Sequence, residues 1–456
     1  MNNQIKDTTK LMILAIVFHI GIAVSVFTVP FLSKILSLIL FFVGLIVIVR
    51  SKDKNYEVLS FCAYIVGSEV FFRMTSGNFF NEYSKYTVMI YMFLGIYFNS
   101  FSNRALIYVF FILIFIPGIF IGIGNLSFEA NIRKAIAFNV SGPICLAISS
   151  IYCINRKISF EGLKKVFVYL SLPIISIVVF LFLFAPSVKD VVTGTQSNFE
   201  TSGGFGPNQV STILGLGMFS FFAILLLFTK GQKKLQFVFM ILLFLTSFRA
   251  IVTFSRGGVF TAIGSILFLM FFVYRYSNSK SKSFLKRISA FLVVAGSLLW
   301  FFTILQTNGL IVNRYQNKDK NGRVKEDKLG GREELTGIEF QMFLDNPMLG
   351  VGIGKNKEYR EEQTGIVAAS HNEISRMLAE QGFLGIICLI ILLITPLFYA
   401  IDNKQHIFLL PFYIFWLLTI NHAAMRLAAP AFIYALSLLK VSFYEEEPTL
   451  HREQII

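Results

Sequence analysis

Charge is scarce in this sequence. Only 15% of its residues are Asp, Glu, Lys or Arg, against about 25% in a soluble domain. Long polar stretches are scarce too: one, residues 307–376, interrupts a chain of otherwise apolar runs. Together these scarcities exclude a soluble multidomain protein, and a length of 456 residues carries no domain count for a membrane bundle. Cysteine is rare and scattered. Cys62, Cys145, Cys153 and Cys388 all lie in apolar stretches without a C-x-x-C pair, so a disulfide framework and a thiolate metal site are both excluded. His19, His371, His406, His422 and His451 show no metal-ligand spacing, and neither H-E-x-x-H nor a Ser-His-Asp signature is present. No heptad, solenoid period or low-complexity tract appears. No metal and no cofactor is expected.

Apolar residues are what the chain has: 55% of it is hydrophobic, and 52 residues are Phe. The apolar runs are 11–29, 31–49, 58–72, 86–98, 104–123, 134–154, 164–185, 208–228, 235–254, 257–274, 288–306, 382–400, 407–420 and 427–440. They predict an all-α, polytopic transmembrane helical bundle of roughly 12–14 helices. The runs at 58–72, 86–98 and 407–420 are short, and are expected either to extend further or to be partly re-entrant. The first run is too long for a signal h-region and lacks a small-residue cleavage site, so it is expected to remain as the first helix.

The net charge of +15 has a topological explanation. With the N-terminus inside and helices alternating, roughly 21 basic residues fall in inside loops and about 9 in short outside loops. Nucleic acid is therefore not an expected partner; the lipid bilayer is. Residues 307–376 then lie outside, and a loop of that length in a compact bundle is usually functional. The expected organisation is transmembrane helices over 1–306 (motif-bearing helices about 200–275), an extracytoplasmic catalytic loop over 307–376, C-terminal transmembrane helices over 377–440 and a cytoplasmic tail over 441–456. Within the loop, a short helix is expected near Glu333–Leu344.

Three groups of residues could carry chemistry. Thr253-Phe254-Ser255-Arg256-Gly257-Gly258 ends a membrane helix on the outer side, and Arg249, seven residues earlier, is expected on the same helical face. Arg256 either snorkels to the interface or clamps an anion, because a guanidinium is permanently charged and forks onto phosphate oxygens. Next come Arg332-Glu333 through Phe343 and then Asn346-Pro347-Met348-Leu349-Gly350-Val351-Gly352. This is neither a Walker A loop nor a dinucleotide fingerprint, and taken alone it reads as a structural turn. Finally Ser370-His371-Asn372-Glu373 has capping-box spacing. A helix starting at Ser370 would put His371 in its first turn, where the dipole favours a neutral imidazole able to act as a base. The plain alternative is an exposed loop histidine. Glu69 and Arg73, four apart, either pair with each other, the default for a buried pair, or leave Arg73 to add to the outer basic site. Asn208, opening a helix after Gly206-Pro207, is a polar contact. Asn421-His422 with Arg426 forms a further small outward cluster.

The order T-x-S-R-G (Thr253–Gly257), then an Arg-led segment ending in N-P-x-L-G-x-G (Arg332–Gly352), then S-H-N with L-x-E-x-G-x-x-G (Ser370–Gly385) resembles the O-antigen ligase and polymerase superfamily. Asn208 is similar to the P-N element of that family. The likeness covers roughly residues 200–390. It implies a metal-independent, inverting glycosyltransferase that uses an undecaprenyl-pyrophosphate-linked glycan as donor and a glycan or lipid as acceptor. A chain-length regulator is a candidate partner, and with the N-terminus inside and the helices alternating the protein is expected to be multi-pass in the plasma membrane with both termini cytoplasmic. The family's essential arginines map onto Arg256 and Arg332, and its essential histidine onto His371. Arg249, Asn208, Asn372 and Arg73 are the further substrate-binding candidates. Residue chemistry agrees: pyrophosphate needs positive charge where negative charge develops, and the acceptor hydroxyl needs a base.

The leading reading is a polymerase of lipid-linked repeat units of a surface polysaccharide. A ligase moving finished glycan to lipid A core or protein differs only in acceptor. A glycolipid flippase or transporter would place ionisable residues near the bilayer midplane, on broken helices and internal repeats. A sensor or scaffold would carry a cytoplasmic output domain. Neither pattern stands out here.

Overall fold

The computed structural model describes residues 2–99, 101–127, 131–325, 332–365 and 370–442, with side chains from residue 9 and, in the segment that begins at 332, from residue 333. The first helices are α1 (Asn2–Thr28), α2 (Leu32–Ser51), α3 (Glu57–Met74), α4 (Tyr83–Phe98), α5 (Leu106–Asn125), α6 (Ile132–Cys153) and α7 (Phe160–Phe184). A short α8 (Val188–Val191) leads to α9 (Pro207–Ala223), which runs on as a π-turn over Ile224–Phe228. Then follow α10 (Lys233–Val252), α11 (Arg256–Tyr276) and α12 (Ser279–Gln306). The polar segment holds α13 (Leu310–Tyr315), α14 (Arg332–Asp345) and α15 (Asn356–Thr364). The chain closes with α16 (Glu373–Asp402), α17 (Leu409–Ile420) and α18 (Ala428–Leu436).

Each of the fourteen apolar runs is a helix, and the fold is an all-α polytopic bundle. Among the described residues ten helices are long and apolar enough to cross a membrane. The other four runs are α3, which carries Glu57, Glu69 and Arg73, and the shorter α4, α17 and α18. At 1.5 Å per residue α17 reaches only about 18 Å and α18 about 14 Å, short of the ~30 Å hydrocarbon thickness.

Packing follows from which helices carry lipid-facing apolar residues and which do not. Helix α7 lies against α1 and α3, α9 against α10 and α11, and α6 against α18. Phe167, Phe408 and Phe412 interlock at the centre, the first two with ring centroids 4.7 Å apart. Helix α12 lies at the periphery and exposes Val293, Leu298 and Phe301, as a lipid-facing helix must. Polar clusters gather at two ends. At one, Asp53 pairs with Arg156 at 3.3 Å, and Lys157–Ser159 (β1) runs parallel to Lys440–Ser442 (β2). Burial pushes the Asp53 carboxyl above its ordinary range, against hydrogen bonds from Tyr152 and the Val58 amide and the charge of Arg156. The other end carries α13–α15. Most of the C-terminal tail, 443–456, lies outside the described residues.

The N-P-x-L-G-x-G stretch is a structural clip. Helix α16 breaks at Gly382 (φ 56°, ψ −132°), and the turn after α14 presses into that break. The Val351 amide donates to Ala379 O at 2.9 Å, Gly352 N to Glu380 O at 3.1 Å and Phe383 N to Pro347 O at 2.7 Å. Gly350 (φ 71°) and Gly382 meet backbone to backbone. A Cβ on Gly350 would sit 2.4 Å from Gln381 N, and one on Gly382 2.5 Å from Pro347 O. No other residue type fits either position without moving the main chain.

Candidate functional site at the loop between α17 and α18

The 421–427 turn joins two short helices and lies deep in the bundle. Irregular backbone at such depth survives only where its polar groups are satisfied. Most of them are. His422 N and Ala423 N donate back to Thr419 O. Ala424 N (φ 50°) donates to His371 O at 3.1 Å, Met425 N to the Glu373 carboxylate at 3.2 Å and Ala428 N to the Glu69 carboxylate at 2.7 Å. Lys85 Nζ donates to Met425 O at 3.4 Å, and Arg73 to Arg426 O at 3.5 Å. Four charged residues from three helices thus hold one turn. Glu69 and Arg73 do pair, at 2.9 Å, as their spacing predicts. Lys85 pairs with Glu82 and donates to Ser141 at 2.9 Å.

Around this turn the motif residues assemble. On one side stands the N-terminus of α11. Its Gly257 lies flat against His422: a Cβ there would be 2.3 Å from the imidazole Cδ2. Nε2 of His422 lies 3.2 Å from Thr212 Oγ1, and Nδ1 3.0 Å from Leu418 O. Arg256, first residue of α11, is half-buried, and its Nη1 donates to Arg314 O at 3.4 Å; among the described residues no carboxylate pairs with it. Arg314 in turn donates to Phe254 O at 2.8 Å and to Ser197 Oγ at 3.3 Å, which ties the start of the polar segment to the helix end. Burial holds the Tyr315 phenol up at about 12, against the pull of Arg256 and Arg314, so that neighbour stays protonated. Asn208 accepts a 2.7 Å hydrogen bond from Ser255 Oγ, and Ser211 donates to Ser255 O at 2.8 Å. Asn208 therefore fixes the turn that presents Arg256.

On the other side stands the strand before α16. Arg426 donates to Ser370 O, and its guanidinium lies 5.7 Å over the Phe138 ring. His371 is half-buried next to it. The expected helix start at Ser370 is displaced. Asn372 is the N-cap, accepting from Ile374 N at 2.9 Å, so His371 precedes the helix rather than sitting in its first turn. Ser370 Oγ is spent on Asn372, receiving its amide at 3.3 Å and donating to its carbonyl at 2.9 Å. Glu373 does not reach back as a capping box requires; it holds Arg376 and the Met425 amide.

Arg249 is also corrected. The chain turns between α10 and α11, with Phe254 in the left-handed region (φ 58°), so Arg249 and Arg256 sit on different helices and share no face. Arg249 is fully buried, donates to Ala185 O at 3.0 Å and stacks 4.4 Å from the Phe182 ring centroid. Helix α14 begins at Arg332, whose side chain lies outside the described residues. The helix itself is docked to the same wall: buried Glu339 accepts from Arg360 at 2.7 Å and Asn356 at 3.1 Å, and from Ser375 on α16. Desolvation lowers the pKa of the Arg360 guanidinium, and Glu339 works against that. Glu339 is seven residues from Arg332, about 10 Å along a helix.

Residues 239–390 match the sequence model of a family described as O-antigen ligase. That segment, about a third of the chain, is similar to that family. It contains Arg256, Arg332 and His371, and ends within α16 just past the Gly382 break. Comparison with curated proteins and with solved structures returns no match. The chain is a multi-pass membrane protein with a segment similar to that family. Among the described residues no group of His, Cys, Asp or Glu could hold a metal ion.

Lys85 and Glu82 belong to no motif in the sequence, and His422 and Arg426 only to a small polar cluster. Asn421-His422 and Arg426, a polar outcrop between two apolar runs, was the only signal available for the turn that joins the two motif groups.

Proposed function

We propose that this protein polymerises undecaprenyl-pyrophosphate-linked oligosaccharide repeat units of O-antigen or another surface polysaccharide. The reaction takes place on the extracytoplasmic face of the plasma membrane, with both termini in the cytoplasm. The observation that carries the reading is the turn at 421–427, which joins the Arg256 helix end to the His371 segment, both of them inside the stretch 239–390 that matches the O-antigen ligase family model.

The acceptor hydroxyl oxygen attacks the anomeric carbon of the lipid-linked glycan. His371 takes the hydroxyl proton, a role worth about 10²–10⁴-fold. The bond from the anomeric carbon to the phosphate oxygen breaks, its electron pair leaves with undecaprenyl pyrophosphate, and the anomeric centre inverts. Arg256 and Arg332 meet the charge that develops on the diphosphate. Arg256 suits the task because it is permanently charged, has no carboxylate to neutralise it among the described residues and stands at a helix N-terminus whose free N–H groups favour anions. Arg73 and Arg249 serve through the scaffold, Asn208 and Asn372 by setting the turns that present Arg256 and His371. The recessed turn keeps the chemistry within reach of a diphosphate tethered to a lipid, and a chain-length regulator is the expected partner. A ligase acting on lipid A core or protein shares every one of these steps except the acceptor.

Purified protein reconstituted with a lipid-pyrophosphate glycan is expected to release undecaprenyl pyrophosphate as longer glycan appears. A protein that moves the intact glycolipid across the vesicle without releasing the carrier is a transporter, and the reading fails.

A further inference from the structure

A cleft of about 810 Å³ opens against Ala424, Met425 and Arg426 of the 421–427 turn. Its walls come from the start of α6, the α15 segment, Ser370 and Met425–Arg426; neither Arg256 nor His371 lines it. Its chemistry differs from that of the Arg256 side. Glu82 is engaged by Lys85, and Glu373 and Glu380 by Arg376. Glu358 is held by Lys355 at 3.0 Å and by the Ser127 amide at 3.1 Å, which clasps α15 to the end of α5 and keeps the cleft walled. Asn81, Lys134, Lys357 and Glu361 are exposed along the wall, with the 41%-exposed ring of Phe138 among them. Donors and acceptors alternate, charge of neither sign dominates, and the Phe138 ring stays partly exposed beside the Arg426 guanidinium, 5.7 Å from its centroid. A diphosphate would find a carboxylate in its way. A polyhydroxyl ligand, with an apolar ring face and hydroxyls that donate and accept, fits.

We infer that this cleft is a saccharide subsite for the acceptor glycan, distinct from the Arg256 side that takes the donor diphosphate. The inference rests on the proposed reaction for the identity of its occupant. The 421–427 turn touches both compartments. Its Gly257–His422 contact faces the donor side, its Met425–Arg426 portion lines the cleft, and its midpoint, Ala424, is bonded to His371 O.

The probe is free oligosaccharide, released by mild acid from the polysaccharide that the producing cell displays. Its binding to the purified protein is read by saturation-transfer NMR. Its extension is read with the lipid-linked glycan as donor. The expected result is binding and extension by the wild type. Phe138→Ala and, separately, Glu361→Gln on the exposed face of α15 are expected to weaken binding and raise KM for the fragment about tenfold, with KM for the lipid-linked donor within about twofold of wild type. Unchanged fragment binding in both variants, or a rise confined to the donor KM, overturns the inference. The two readings fail separately. Wild-type protein that binds the fragment through these residues but transfers nothing refutes the reaction and leaves the subsite. Transfer with variant binding equal to wild type refutes the subsite and leaves the reaction.

Discussion

Replacing Gly350 by Ala tests whether the N-P-x-L-G-x-G stretch braces the fold or touches substrate. Gly350 has φ 71°, a region that costs a residue with a Cβ about 1–2 kcal/mol. The added methyl would lie 2.4 Å from Gln381 N and from Glu380 C, so main chain must separate. The nearest casualties are the hydrogen bonds from Val351 N to Ala379 O and from Gly352 N to Glu380 O, each worth about 1 kcal/mol. The sum is about 3–4 kcal/mol, or roughly 3–4 °C of unfolding temperature on the entropy scale of globular domains applied to a chain of this size. Fluorescence-detected thermal unfolding in detergent reads it directly. Activity is expected to fall only as far as folded protein is lost. A Gly350→Ala protein with wild-type stability and no transfer would refute the brace and make the turn part of the substrate site.

Glu339→Ala is expected to destabilise by about 3–5 kcal/mol, because it strands the buried Arg360 guanidinium; protease nicking within 332–365 would report the loosened α14 and α15, and an unchanged digestion pattern would contradict it. Gly257→Ala places a methyl 2.3 Å from the His422 ring; it is expected to lower transfer by more than tenfold with little change in unfolding temperature, and wild-type rates would show that the helix end and turn need not touch. Burial lowers the His406 imidazole to about 4, against the Leu436 carbonyl hydrogen bond that raises it. The unfolded chain, with an ordinary value near 6.5, then takes up a proton that the folded one refuses, so stability is lost as pH falls from about 6.5 to 4, some 2 kcal/mol of it by pH 5. Unfolding temperatures measured from pH 7 to 5 should fall more steeply for wild type than for His406→Gln, and parallel curves would contradict the assignment.

Hydropathy made the fold legible, because each helix must bury its own backbone polar groups in lipid and so announces itself as an apolar run. The helix near 333–344 was legible by the same local logic. The sequence names candidate cations and a candidate histidine but not how the elements that carry them are held together. Glu69, Lys85 and Glu373 find their partners in main-chain groups of a turn that lies tens to hundreds of residues away, and nothing in their neighbourhoods points there. Ser370 and Asn372 both suit a helix cap, and which one wins depends on how Ala424 and Arg426 hold the strand before it. The shared face assigned to Arg249 and Arg256 failed because a three-residue turn separates two helices that look continuous in periodicity. The mutual fit of Gly350 and Gly382 is a contact between segments, invisible in either alone.

The most direct test of the central claim is turnover by the reconstituted protein with His371 and Arg256 replaced singly. His371→Ala and Arg256→Ala are each expected to slow release of undecaprenyl pyrophosphate by about 10²–10⁴-fold while expression and unfolding temperature stay at wild-type values. Polymer of normal length and normal carrier release from either variant would contradict the account.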